Sequence, residues 1–175
     1  MTEIYLDNSA TTRPFDEVIA LCSHIQRDNY GNPSSLHARG IAAEKLLNEA
    51  RRNIASLLQC REDELYFTSG GTEANNLALK GIAYRRQRRD GHIITTQIEP
   101  PSVLNCCRRL EEEGFAVSFL PVDRQGYLDL DELSRAIRDE TILVSTSHVN
   151  NEIGTIQPVE KIGAIIKELN PRTLY

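Results

Sequence analysis

Phe67 to Asn76 reads Phe-Thr-Ser-Gly-Gly-Thr-Glu-Ala-Asn-Asn: a turn of small residues between a short apolar run and a helical pattern. Such a turn offers anion chemistry. The first amides of a helix have no acceptor within it, and the helix dipole places partial positive charge at the same end. Small side chains let a ligand come close to Gly70 and Gly71, and Thr72 adds a hydroxyl donor. No G-x-x-x-x-G-K-[ST] pattern occurs, so a nucleotide P-loop is not the explanation. A Gly-Gly turn before a helix also suits plain tight packing. A second polar stretch, His148 to Pro158, follows an apolar run, and there Asn150 and Asn151 suit a turn.

Groups that could react are few. Cys22, Cys60, Cys106 and Cys107 show no C-x-x-C spacing, which suggests neither a zinc site nor a disulfide framework, so reduced thiols are expected. Lys45, Lys80, Lys161 and Lys167, the only lysines, fall on the polar sides of predicted helices and none reads as a buried amine. His92 and His148 fit strand or loop positions. No catalytic residue and no metal ligand is assigned.

The elements that must position these groups alternate. A short apolar piece, Ile4 to Leu6, precedes a helix opened by Pro14, with Phe15, Val18, Ile19 and Cys22 on one side and an end near Asn29 to Gly31. A second helix after Asn-Pro-Ser-Ser carries Ala43, Leu46, Leu47, Ala50, Ile54, Leu57 and Leu58 at three- and four-residue spacings. From Glu64 strands and helices take turns. Leu-Tyr-Phe leads to a helix over 72–89, and His-Ile-Ile-Thr-Thr leads to a helix over 102–113. Ala116 to Pro121 leads to a helix over 131–138, and Thr141 to Ser147 leads to a helix opened by Pro158. This order predicts an α/β fold: three αβα layers around a largely parallel sheet, with ligands collecting beyond the carboxyl ends of the strands. The tail, Asn170 to Tyr175, reads as a turn and the beginning of one more strand.

Four stretches, Tyr5 to Pro14, Gly31 to His37, Phe67 to Gly81 and His148 to Pro158, together resemble the cysteine desulfurases of the class V aminotransferase group, pyridoxal-phosphate enzymes of fold type I. The resemblance covers essentially the whole chain, in order, and is to the N-terminal half of such an enzyme, hence an incomplete large domain. It implies pyridoxal phosphate as cofactor, with Gly71 and Thr72 holding its phosphate and Asn151 reaching the ring hydroxyl and the substrate carboxylate. It implies that residues 1–36 form an N-terminal segment on the substrate side, with Asn8 to Thr12 and Asn32 to Ser35 shaping it. Residues 37–175 would be the first part of the cofactor-binding domain. The implied reaction converts cysteine to alanine and passes persulfide sulfur to an acceptor protein, as in iron–sulfur cluster assembly.

Two departures stand out. Where the resemblance expects a histidine stacked on the cofactor ring, Gln97 to Val103 has Pro100, which has neither a π face nor a titratable group and suits the start of the next helix. The Schiff-base lysine, the aspartate facing the pyridine nitrogen and the nucleophilic cysteine belong to the other half of the resembled enzymes. The chain is therefore expected to be inactive alone and to need a chain supplying the C-terminal half. The alternatives are a non-catalytic remnant that binds or dimerises, and a plain phosphate-binding domain.

The 175 residues carry a net charge of −5 and are 40% apolar, an ordinary composition able to bury a core. That charge argues against a general nucleic-acid or membrane-surface binder. The basic run Tyr84 to Asp90 is read as a solvated helix end. No apolar run approaches the roughly 20 residues that span a bilayer, and a cytoplasmic location is expected.

Overall fold

The computed structural model describes residues 4–85 and 91–175. The basic run named above lies, from residue 86, outside them. The chain divides into two units, Met1–Phe67 and Thr68–Tyr175.

In the first unit α1 spans Asp16–Asp28, entered through an extended Phe15 and favoured by Asp16 and Glu17 in its first turn. Helix α2 spans Ala38–Leu58. His37 caps its start by accepting from the Gly40 amide at 3.2 Å, and Gln59 ends it in the left-handed conformation, φ 54°. Both helices stand where their spacing predicts. Their apolar stripes, however, remain largely uncovered. Phe15 is 79% exposed, and Gly40, Ala43 and Ala55 are the only buried residues among those described in this unit. Periodicity places a stripe on one face but cannot supply the surface that covers it.

The strand expected at Leu-Tyr-Phe is absent. Ile4 to Leu6 and Leu65 to Phe67 are irregular, the latter preceded by a 3₁₀ turn over Glu62–Glu64. A strand exists only in a ladder, and no described strand pairs with either segment. The anion turn that follows Phe67 therefore does not leave a strand.

The second unit contains α3 (Gly71–Arg85), β1 (His92–Thr96), α4 (Pro101–Glu112), β2 (Ala116–Leu120), α5 (Leu130–Ala136), β3 (Thr141–Ser145) and α6 (Val159–Leu169). The sheet is parallel, in the order β2-β1-β3, with Ile94 opposite Ser118 on one side and Val144 on the other. Leu174 continues it beside β3: its amide donates to the Ile142 carbonyl and its carbonyl accepts from the Val144 amide. The tail thus begins the further strand that the sequence predicts.

Alternation along β1 builds the two outer layers. Ile93 faces Leu79 and Ala83 of α3 and Val103, Cys107 and Leu110 of α4. Ile94 faces Leu133 of α5 and Ile162 and Ile166 of α6. Each fully buried Leu or Ile here contributes about 2–3 kcal/mol of transfer free energy. The sheet also carries polar rungs, the first at His92. His92, 1% exposed, bonds through Nδ1 to Thr141 Oγ1 and through Nε2 to Ser118 Oγ, both at 2.9 Å.

Candidate functional site

The first hydrogen bond of α3 runs from the Ala74 amide to the Gly70 carbonyl, 3.1 Å. The amides of Gly71, Thr72 and Glu73 accordingly have no backbone acceptor among the described residues. Glu73 turns back on the approach, and its Oε2 accepts from Ser69 N at 2.6 Å and Ser69 Oγ at 2.7 Å. These two bonds hold its carboxyl below the usual carboxylate range. Neither Gly70 nor Gly71 has positive φ, and a Cβ at either would meet nothing within 4 Å. Backbone conformation and packing thus leave both glycines unexplained. What they provide is an open approach to unpaired amides.

Asn150 and Asn151 follow β3 and separate cleanly in role. Asn150 builds the turn. Its Oδ1 accepts from the amides of Glu152 and Ile153, its Nδ2 donates to the Ile98 carbonyl, and its backbone closes on Thr155 and Gly154. Asn151 is exposed and its side chain has no hydrogen-bond partner among the described residues. The structural task expected of the pair is carried by one member, which leaves the other free.

Thr72 lines a hollow of about 330 Å³ beside the start of α4, with Asn76, Lys80, Ser102, Asn105 and Arg109. The loops carrying Thr72 and Asn151 are joined by a chain of bonds. Asn75, one turn into α3, donates to Ser102 Oγ at the start of α4; three residues before Ser102, Glu99 bonds Ser147 beyond β3. Pro100 is the N-cap of α4, and its carbonyl accepts from Val103 and Leu104. The loop carrying Asn151 is held at its far end by Gln157, whose Nε2 donates to the Gly126 carbonyl and whose Oε1 accepts from Leu128 N. Thr155 also donates to the Gln125 carbonyl.

Of the reactive groups, Lys80 and Cys106 line the same hollow as Thr72. Lys45, Lys161 and Lys167 are exposed and Lys80 is half-buried. Cys106 and Cys107 are buried in the core, and burial pushes the Cys107 thiol up to about 12, which leaves it protonated. His148 is exposed. Asn8 bonds Tyr5 and Thr12, and Asn32 bonds Ser34, so both stretches of the first unit serve local turns. Sequence reasoning missed Glu99, Ser147 and Gln157. Thr96-x-x-Glu99 before a proline-started helix is a capping-type spacing that could have drawn attention to Glu99.

A parallel sheet covered by helices on both faces, with an open helix N-terminus and Asn-bearing loops beyond the strand ends, defines a layered α/β protein. Comparison with known proteins narrows this. The family model for aminotransferase class-V matches residues 4–174, and the chain belongs to that family. The family is in general pyridoxal-phosphate-dependent. A cysteine desulfurase IscS of Methanosarcina thermophila is 49% identical over 165 residues, covering 94% of this chain and 41% of that relative. A cysteine desulfurase IscS of Clostridium botulinum (strain Kyoto / Type A2) is 46% identical, covering 96% and 42%. Among solved structures, a NifS-like protein superposes with TM-score 0.95 at 42% identity, covering 99% of this chain and 48% of that one. SspA in complex with cysteine superposes at 0.86 and 39% identity, covering 91% and 46%. The chain spans less than half the length of each of these relatives. No helix among the described residues is long and apolar enough to cross a membrane.

Proposed function

We propose that this chain is the cofactor-cradling N-terminal portion of a cysteine-desulfurase-like enzyme. The observation that carries the reading is the start of α3, where the amides of Gly71 and Thr72 have no backbone acceptor among the described residues, beside two glycines that neither packing nor φ requires. That set fits the phosphate of pyridoxal phosphate, since a dianion gains from several amides and the helix dipole together. Asn151, free and polar, would reach the ring hydroxyl and the substrate carboxylate. When bound, the cofactor supplies an electron sink for bond cleavage at the substrate amino acid. The residues of this chain bind and orient. None of its lysines is buried enough to serve as the reactive amine, and none of its cysteines lies on these loops. A second chain, or further sequence, would supply the amine and the thiolate that takes the sulfur.

The test mixes the purified chain with pyridoxal phosphate, alone and with a polypeptide corresponding to the remaining half of the Methanosarcina relative. The expected results are Gly71-dependent binding, no borohydride-stable lysine adduct on this chain, and alanine formation from cysteine only in the mixture. A stable adduct at Lys80 would refute the assignment of roles. A second reading, a non-catalytic remnant, is favoured by Pro100, which stands where a ring-stacking histidine is expected and is occupied as a helix cap. Binding without alanine formation in the mixture would select it.

A further inference from the structure

Glu99 is 6% exposed and forms no ion pair among the described residues. A buried carboxylate without a cation is costly unless its lone pairs are filled. Here they are. Oε1 accepts from Thr96 Oγ1 at 2.6 Å and from Ser147 N at 3.0 Å, while Oε2 accepts from Ser147 N at 3.0 Å and Ser147 Oγ at 2.6 Å. Thr96 ends β1, and Ser147 lies two residues beyond the end of β3. The carboxylate therefore ties the exits of two neighbouring strands, in a place where an apolar side chain could pack but could not bridge them.

The tie has a mechanical consequence. The turn from Asn150 to Thr155 is closed by its own bonds, Asn150 N to Thr155 O and Gly154 N to Asn150 O, each 2.9 Å, so it moves as one piece. That piece has two attachments. On one side Ser147 holds Glu99 and Asn150 holds the Ile98 carbonyl; on the other Thr155 and Gln157 hold the carbonyls of Gln125 and Gly126. Asn151, which has no bond of its own, inherits its place from these two.

We propose that Glu99 is a positioning residue: its buried carboxylate locks the β3-exit loop to the β1-exit loop and so sets where Asn151 is presented. The consequence for ligand binding rests on the functional reading above. Both carboxylate oxygens are engaged by Thr96 and Ser147, so Glu99 acts through Ser147 and touches no ligand itself.

Hydrogen exchange on the chain tests the lock without any ligand. Glu99→Ala is expected to speed exchange by about tenfold or more at the Ser147 amide, which donates to the carboxylate, and at the Gln157 amide, which donates to the His148 carbonyl between the tie and the closed turn. Amides inside β1 and β3 should keep their rates. Glu99→Gln, whose carbonyl and amide can still meet Ser147 N–H and Oγ, should restore most of the protection, and Ser147→Ala should fall between. If Glu99→Ala cannot be purified folded, the comparison of Glu99→Gln with Ser147→Ala decides. Unchanged exchange over 147–157, or an equal rise throughout the unit, would overturn the proposal. Affinity for 4-deoxypyridoxine 5′-phosphate, which carries the phosphate and ring hydroxyl but no aldehyde, should fall about fivefold in Glu99→Ala. Failure of the unaltered chain to bind that analogue would sink the functional reading, while exchange would still decide the role of Glu99.

Discussion

Acidification from about pH 8 to about pH 5 should destabilise the second unit through one residue, His92. Its ring lies inside the sheet between Thr141 and Ser118. Burial lowers its pKa from 6.5 to about 4, the nearby Arg138 adds to the shift, and Glu140 opposes it. The folded state thus resists a proton that the unfolded chain accepts near pH 6.5. Between about pH 6.5 and 4 the unfolded state binds more protons, so stability falls as pH falls through that window. Below about pH 4 both states are protonated and the loss is complete. At pH 5 the ratio of the two protonation factors is about 30, or about 2 kcal/mol, and the full shift of about 2.5 units is worth about 3 kcal/mol. Urea unfolding followed by circular dichroism at both pH values measures it. With a typical slope of about 2 kcal/mol per molar urea, the midpoint should drop by about 1 M. His92→Gln, which keeps hydrogen-bonding atoms for both neighbours but cannot titrate, should lose most of that pH response. A variant with the same pH-dependent drop as the parent would refute the assignment to His92.

The other predictions concern the loops and thiols. Gly71→Pro should leave the fold intact, because proline fits a first helical position, yet removing one amide should weaken pyridoxal phosphate binding about tenfold, read by fluorescence titration. Asn151→Ala should change stability by less than about 0.5 kcal/mol while reducing binding of the aldehyde-free analogue. Asn150→Ala, which opens the turn and its tie to Ile98, should cost about 1–3 kcal/mol by urea unfolding. At pH 8 a maleimide should modify exposed Cys22 and leave Cys107 unmodified until the chain unfolds, as peptide mass mapping would show.

Much of the fold can be read along the chain because it is written in local chemistry. Pro14, Pro101 and Pro158 mark helix starts, and the spacing of Val103, Cys106, Cys107 and Leu110 gives α4 its buried face. Leu65 to Phe67 shows the limit: its residues favour a strand, but pairing needs a neighbour, and Tyr66 is left 74% exposed. At the site, Gly71 and Thr72 stand out through the motif they share with the resembled family, since a Gly-Gly turn before a helix by itself also suits tight packing. The division of labour between Asn150 and Asn151 is not legible there, since two adjacent identical residues carry no sign of which one bonds the turn.

By itself, then, the sequence determined which segments can be helix or strand, the alternation that forces a parallel layered sheet, and a helix start suited to an anion. Tertiary structure alone decided that Glu99 would join two strand exits, that His92 would sit uncharged between Thr141 and Ser118, and that Asn151 would be left without a partner. Periodicity and capping act over a few neighbouring residues, whereas these bonds join atoms 26 to 49 positions apart. Their energetics depend on burial and geometry that exist only after the sheet has closed.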